Sequence, residues 1–464
     1  MADATAALAR YVGEQRGREL PEQAALAARS IVLDAVGCAL AGAGASHAKA
    51  GYRAIARLSD LTATATVIGH EGGRAADVAA FTNTLAARIH LYDDTYGPGH
   101  LHAGAALTFT AMALGQEQEA TVGEFLHSVA VGAEVAARIG AAAGYEQYAR
   151  GFHNTGTCVV FGTAATAASL LGLDSKQVHA ALSMAGEYAS GLRQYQVDGD
   201  AAESALHAAN AARNGILATY LAIEGFPAVD EMLEGRMGFL ACFGSAPGAA
   251  ALLSDGLGSS WAVEQMSIKP LPSCRGTHGA GTAAADLRDL PDLTPESIEA
   301  IRVYVPEDEF VLCNRPEPTT PLDAQFSIQY VVAHVLAHGS LKVSDFADSH
   351  LRDPAVRSLA GKVNVIAAPD LHGTACRVLI YQDDGTVHTQ EVVASRGDPE
   401  NPFQPSQLDA KFVENASGVL PVPAAQELVS FIRTAPGQIP IGAIGPLLAA
   451  AGRGAIGDRW DWAV

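Results

Sequence analysis

The stretch "CRVLIYQDDGTVHTQEVVA", residues 376–394, decides how this chain is organised. Two strand-like runs flank "QDDG", and Asp-Gly between such runs signals a β-hairpin. Working upstream, "KVNVIAAP" at 362–369 reads as a strand, and "SIEAIRVYVPEDE" at 297–309 as another with alternating apolar residues. A short strand is also expected in "EQMSIKPLP" at 264–272. Between them, "HGAGTAAADLRDL" at 278–290 and "AQFSIQYVVAHVLAHG" at 324–339 carry helical patterns.

Outside this segment the chain reads as helix almost throughout. "PEQAALAARSIVLDAVGCALAGAG" at 21–44 opens with Pro and closes with Gly, the asymmetry expected of helix ends. "TVGEFLHSVAVGAEVAARIGAAAG" at 121–144, "DSKQVHAALSMAGEYASGL" at 174–192 and "ESALHAANAARNGILATYLAIEGF" at 203–226 are long, apolar on most faces and closed near a Gly. "QLDAKFVENASG" and "AAQELVSFIRT" return to helix near the end. The pattern predicts a mainly α protein. A large all-helical domain is built from both chain ends, 1–264 and 398–464, and a smaller, lid-like α+β domain is inserted at 265–397. No fixed-period repeat supports a solenoid.

Composition narrows the function. Of 464 residues, 49% are hydrophobic and only 17% charged, which implies a large interior or an oligomer surface. The net charge of −20 excludes the cationic field that nucleic acids and anionic membranes require. No apolar run reaches membrane-span length without a charge or a helix breaker, and the N-terminal residues lack a signal-peptide core. The six scattered cysteines include no CxxC pair, which points to a reduced, cytoplasmic protein.

In so acidic and alanine-rich a chain, two stretches stand out. "HLYDDTYGPGHLHAG" at 90–104 gathers His90, Asp93, Asp94, Thr95, His100 and His102. One reading is local: Asp94 and Thr95 cap a helix while Gly-Pro-Gly turns the chain. The chemical readings are acid–base catalysis, since a carboxylate beside an imidazole poises it near neutrality, and a metal-dependent hydratase using His100, His102 and Asp93. "SIKPLPSCRGTHGAG" at 267–281 places Lys269, Cys274, Arg275 and His278 before a Gly-opened helix, a combination suited to a carboxylate. The plain alternative is a linker with solvated charges. His153, Asn154 and Thr155 precede another helix and read equally as caps or as an anion-facing terminus, while Arg315 and Gln325 frame a Pro-rich loop.

Taken together, "YDDTYGPGHLHAG", "FHNTGTCVVFGTAATAASLLGLD", "LHAANAARNGILATYLAIEGF", "IKPLPSCRGTH" and "DAQFSIQYVVAHVL" resemble, in that order, motifs of the MmgE/PrpD family. The resemblance spans nearly the whole chain. It implies an enzyme of the type of 2-methylcitrate dehydratase, cis-aconitate decarboxylase or iminodisuccinate epimerase, with a small anionic carboxylate as substrate. It further implies a homodimer, with no metal or other cofactor, and a site in a cleft between domains. The carried-over catalytic residues are His102, Lys269, Asp93 and Asp94. The carried-over substrate-binding residues are Thr95, His153, Ser204, Cys274, Arg275, His278, Arg315 and Gln325.

Two positions depart from the family pattern. Leu91 stands where the decarboxylase motif has Asp, and Ser204 where the family often has Lys. A lysine lost from a dry tricarboxylate site removes a charge-assisted contact, which points away from cis-aconitate decarboxylation and toward a substrate with fewer carboxylates. The expected chemistry is proton transfer at the carbon α to a carboxylate, as a lyase or an epimerase. His102 moves the proton while Asp93 or Asp94 fixes its ring. Lys269, with Arg275 or Arg315, holds the substrate carboxylate, and Thr95 and His153 orient the substrate. A non-catalytic carboxylate-binding homologue is the other alternative.

Overall fold

Side-chain caps set the ends of the long helices. The computed structural model describes residues 3–59, 62–246 and 248–451, so residues 1–2 and 452–464 of the expected outer domain lie outside the described residues. At Thr121 the hydroxyl accepts from the Glu124 amide at 3.2 Å, and the Glu124 carboxylate accepts from the Thr121 amide at 2.8 Å. This reciprocal box starts a 28-residue helix. Asp200 and Glu203 repeat the device at another helix start.

The chain divides into two compact units. One comprises the described parts of 1–89, 93–266 and 404–464; the other comprises 90–92 and 267–403. The inserted unit thus runs past the expected end at 397, because "RGDPENP" stays with it: Gly397 accepts from Ile268 at 2.9 Å and donates to Asn401 at 2.8 Å.

The larger unit is helical except for one short strand, Thr62–Ala65, so the expected all-helical domain is not wholly so. Its main helices are α1 (Glu22–Ala43), α2 (Ala76–Arg88), α3 (Gly104–Glu117), α4 (Val122–Ala149), α5 (Asn154–Leu170) and α6 (Ala201–Ile223). Helix α5 packs against α4 and α6, and α6 also packs against α2. Alanine and glycine dominate these surfaces, so the backbones approach closely and dispersion contacts accumulate across many small side chains. By length and hydropathy α1 and α4 would each suffice to cross a membrane, yet 67% and 89% of their most apolar windows are buried within the protein. The expected helix end at Gly144 is a kink instead: Gly144 adopts φ 62° and helical structure resumes to Ala149.

The returning C-terminal helix Pro405–Ala416 is fixed to α1 by charge. Lys411 Nζ lies 2.5 Å from Asp34 Oδ1, and both side chains are buried. Removing one partner of such a pair strands the other in a low-dielectric interior, a loss of about 3–5 kcal/mol.

The smaller unit is α+β. Its sheet has the order β2–β1–β3–β4, with β1 Ile298–Val305, β2 Val363–Ala367, β3 Cys376–Gln382 and β4 Val387–Val392. Val303 pairs with Val365 in the parallel β1–β2 ladder and with Val378 in the antiparallel β1–β3 ladder. The hairpin signalled by "QDDG" joins β3 to β4, with Val378 opposite Gln390. Along β3, Cys376, Val378, Ile380 and Gln382 are buried while the intervening residues are more exposed, the period of two that gives the strand away. Helix α7 (His278–Arg288) covers β3 and β4 and packs on α9 (Ile328–His338), while the short α8 (Glu307–Cys313) follows β1. The short strand expected over 264–272 is absent. Ala262–Gln265 forms a 3-10 turn, and Pro270 and Pro272 supply no N–H for a ladder.

Candidate functional site

In the helical unit, α2 ends at Arg88 and the loop that follows carries Asp93 to Ala103 into α3. Asp93 and Asp94 are buried, and their carboxylates have separate tasks. Asp93 Oδ1 accepts from Arg88 Nη1 at 2.6 Å in a buried ion pair. Asp94 Oδ2 accepts from the Ala103 amide at 3.2 Å, and the Gly104 amide also hydrogen-bonds this carboxylate. Asp94 thus caps α3 from outside the helix. Residue 104 must be Gly, because a Cβ there would sit 2.5 Å from Asp94 Oδ1. Burial, and then the neighbouring Asp93 charge, push the Asp94 carboxyl up to about 7.

Where the sequence neighbours of His102 implied a carboxylate, its ring meets a main-chain oxygen and a hydroxyl at Nδ1. Its Nδ1 lies 2.7 Å from the main-chain oxygen of Asp94 and 3.2 Å from Thr95 Oγ1. A carbonyl oxygen only accepts, so the hydrogen is on Nδ1 and Nε2 is the basic nitrogen of the neutral ring. The His102 amide donates to Thr155 Oγ1 at 3.1 Å. Thr155 and Asn154 therefore serve the loop rather than capping α5: Asn154 Nδ2 donates to Gly99 O at 2.9 Å and to Gly144 O at 3.0 Å.

A second histidine stands beside the first. The His153 and His102 ring centroids are 6.3 Å apart, and His153 Nδ1 lies 2.8 Å from His207 Nδ1. Only one of two facing nitrogens can donate, so this contact fixes complementary tautomers. Tyr195 packs edge-on to both His153 and His207. Burial, aided by the Arg88 charge, pushes His207 down to about 4, so it is neutral near pH 7. His207 lies in the stretch "LHAANAA", one helical turn beyond Ser204, and is not among the residues expected from the sequence. The Ser204 hydroxyl is buried and donates to Ala201 O at 2.8 Å within its own helix. The available signal for His207 is its place one turn beyond Ser204 on the same helix.

The metal reading of the early loop does not match the geometry. His100 has φ 48° and lays its ring along Tyr148, centroids 5.5 Å apart, while Asp93 is paired with Arg88. Among the described residues, the donor atoms that converge as a metal-ligating group are those of Cys274, Glu309 and Cys313.

In the smaller unit, Lys269 is buried rather than solvated. Its Nζ donates to Leu91 O at 2.7 Å and to Ser273 O at 3.1 Å. Leu91 holds φ 53°, the left-handed region that a β-carbon disfavours, and in that conformation its carbonyl accepts from the ammonium. Gln325 ties the same tripeptide down, its amide nitrogen donating to His90 O at 3.1 Å and to Pro272 O at 3.2 Å. His278 is buried, with Nε2 3.3 Å from Ser273 O, and burial together with the Lys269 charge holds it well below the usual imidazole range.

The two arginines have carboxylate partners. Arg275 lies 3.2 Å from Asp398, and Arg315 lies 2.9 Å from Asp323 with its guanidinium over Phe326. Cys274 is half-buried, and its amide donates to Gln325 O at 2.8 Å. A hydrogen bond from Cys313, the Gly276 amide and the charges of Lys269 and Arg315 bring its thiol down to about 7, against the effect of burial. Burial pushes Cys313 and Glu309 up.

Each unit thus presents its own chemistry. The helical unit offers an oriented imidazole beside a histidine pair, suited to moving a proton. The smaller unit offers a dry ammonium among carbonyls, suited to anion neutralisation.

The comparisons agree with the resemblance. The MmgE/PrpD N-terminal domain matches residues 6–251, and the MmgE/PrpD C-terminal domain matches residues 271–434. Human cis-aconitate decarboxylase is 28% identical over 370 residues, covering 76% of this chain and 76% of its own length. The mouse cis-aconitate decarboxylase is 28% identical over 426 residues, covering 87% and 85%. A cis-aconitate decarboxylase-like protein of Aspergillus oryzae is 26% identical over 447 residues, covering 90% and 91%. With both domains matched in order along this fold, the chain belongs to the MmgE/PrpD family.

Proposed function

We propose that this protein is a metal-independent acid–base enzyme acting on a small carboxylate, transferring a proton at the carbon α to a carboxylate group. The observation that carries the reading is the Asp94 carbonyl on His102 Nδ1, which makes Nε2 the basic nitrogen. His102 takes or returns the proton. His153 and its neutral partner His207 bind or orient the substrate's polar groups, and Thr95 steadies the His102 ring. Lys269 neutralises a carboxylate and takes up the charge that develops as the adjacent carbon loses its proton, with Arg275 and Arg315 adding positive field.

Returning the proton on the opposite face is epimerisation, and expelling a β-hydroxyl is dehydration. The activity for which the relatives are named, decarboxylation of cis-aconitate, is disfavoured in this chain. Ser204 replaces a charged arm with a hydroxyl already bonded within its helix, and Leu91 brings no carboxylate. A dicarboxylate therefore fits the residues better than a tricarboxylate. We also propose a cytoplasmic location and a homodimer, the dimer supported by exposed Leu206, Leu217 and Tyr220 on one face of α6.

The test is solvent deuterium exchange into a panel of di- and tricarboxylates, followed by NMR, for the parent, His102→Ala and Lys269→Ala. Exchange and turnover with at least one dicarboxylate, lost in both variants, are expected. Parental exchange in both variants overturns the assignment, and binding without exchange by the parent favours a non-catalytic carboxylate-binding protein.

A further inference from the structure

We propose that Cys274, Glu309 and Cys313 form a binding site for a thiophilic divalent cation of the zinc class. Their donor atoms all lie within 4.8 Å of one another. Donors bound to a tetrahedral zinc at roughly 2.0–2.3 Å lie roughly 3.3–3.8 Å apart, so small side-chain rotations close the site without backbone movement.

The local sequence builds this convergence. Glu309 and Cys313 are four residues apart on α8, one turn above the other on the same face. Cys274 comes from a different element, immediately before the 3-10 turn Arg275–Thr277, with its backbone fixed by the bond to Gln325. Gly276 keeps the space open. A Cβ at that position would overlap Glu309 Oε2 and stand 3.0 Å from Cys313 Sγ.

The donor set selects the ion. Two thiols and one carboxylate suit zinc, cobalt(II) or cadmium, whereas magnesium and calcium require oxygen ligands. The nearby guanidinium groups already have carboxylate partners, Arg275 in Asp398 and Arg315 in Asp323, although the Arg315 charge still reaches the two thiols and the Arg275 charge reaches Glu309. Three protein ligands leave a fourth position for water or an anion. The inference goes beyond the catalytic proposal and does not depend on it, because metal binding and proton exchange are read separately.

The experiment uses the full chain, reduced and stripped of metal, with all six thiols verified as free. Zinc is titrated against a chromophoric chelator, and cobalt(II) binding is followed by its thiolate charge-transfer absorption. The parent is expected to take up one equivalent with that absorption. Cys274→Ser and Cys313→Ser are each expected to weaken binding at least ~100-fold, and Glu309→Gln about tenfold. Cys242→Ser, at an exposed thiol, leaves binding unchanged. Thermal melts confirm folding, and Glu309→Gln retains a side chain of the same size if a serine variant fails to fold. Equal affinity in the parent and all three variants overturns the proposal, as does a parent that binds zinc but whose cobalt(II) form lacks the thiolate absorption. Closure of Cys274 and Cys313 into a disulfide in preference to metal, seen as two thiols lost under mild air oxidation with equimolar zinc present, also overturns it.

Discussion

His102 Nδ1 lies 2.7 Å from the main-chain oxygen of Asp94, eight positions back along the same loop. The bond uses backbone that cannot be substituted away, so the tautomer is set by the fold and not by a neighbouring side chain. Asparagine at position 102 keeps a donor near Nδ1 but has no equivalent of Nε2. His102→Asn is therefore expected to leave the thermal midpoint within a few degrees and reduce proton exchange by about 10²–10⁴-fold. Exchange measured by NMR beside a thermal melt checks both halves.

Two buried groups oppose one another in their effect on stability with pH. Asp94 is raised to about 7, so between roughly pH 4 and 7 the native state keeps a proton that the unfolded chain has lost, and stability falls as pH rises. His207 is lowered to about 4, so between about pH 4 and 6.5 the unfolded chain holds the extra proton, and stability rises with pH. Asp94→Asn should therefore steepen the rise and His207→Gln the fall, each by on the order of 1–4 kcal/mol across the window. Urea midpoints from about pH 4.5 to 7.5 measure this, and curves parallel to the parent in both variants contradict the assignment.

Lys269 combines a proposed catalytic charge with a structural bond. Lys269→Met keeps the stem but leaves the carbonyls of Leu91 and Ser273 without their ammonium partner, and is expected to destabilise by about 1–3 kcal/mol. Lys269→Arg is no substitute, because a planar fork does not reproduce a tetrahedral ammonium among carbonyls. Both variants should lose most kcat/KM, and the Arg variant should regain little of it. Parental kcat/KM in the Arg variant would show that charge alone suffices.

The ion pair of Asp34 and Lys411 gives a test confined to stability. Lys411→Met is expected to cost about 3–5 kcal/mol by leaving Asp34 charged and buried. Adding Asp34→Leu should recover much of that loss, since an apolar pair carries no desolvation penalty. Chemical denaturation of the two single variants and the double variant gives the coupling.

Much of the fold is legible in the chain because its signals are local. The alternation of β3, the Asp-Gly turn after it and the Thr121–Glu124 box act within a few residues. The apolar run at 264–272 does not form a strand because its two prolines supply no N–H to a ladder. At the site, the resemblance implies His102 and Lys269, but the backbone carbonyls of Asp94, Leu91 and Ser273 that bond them carry no side-chain signature. His207 is not legible in the chain, because a single histidine within an alanine-rich helix resembles any helical residue until the fold sets His153 against it. The convergence of Cys274 with Cys313 depends on a separation in sequence that no spacing rule spans.

The membership of residues 90–92 in the smaller unit bears on how this protein can be taken apart or recombined. A gene fragment running from 267 to 403 would omit Leu91, and with it an oxygen to which the Lys269 ammonium is bonded. Exchange of this module between relatives, in the laboratory or by natural shuffling, preserves its chemistry only when a distant tripeptide travels with it. The functional boundary of the module therefore does not coincide with any single continuous piece of the gene.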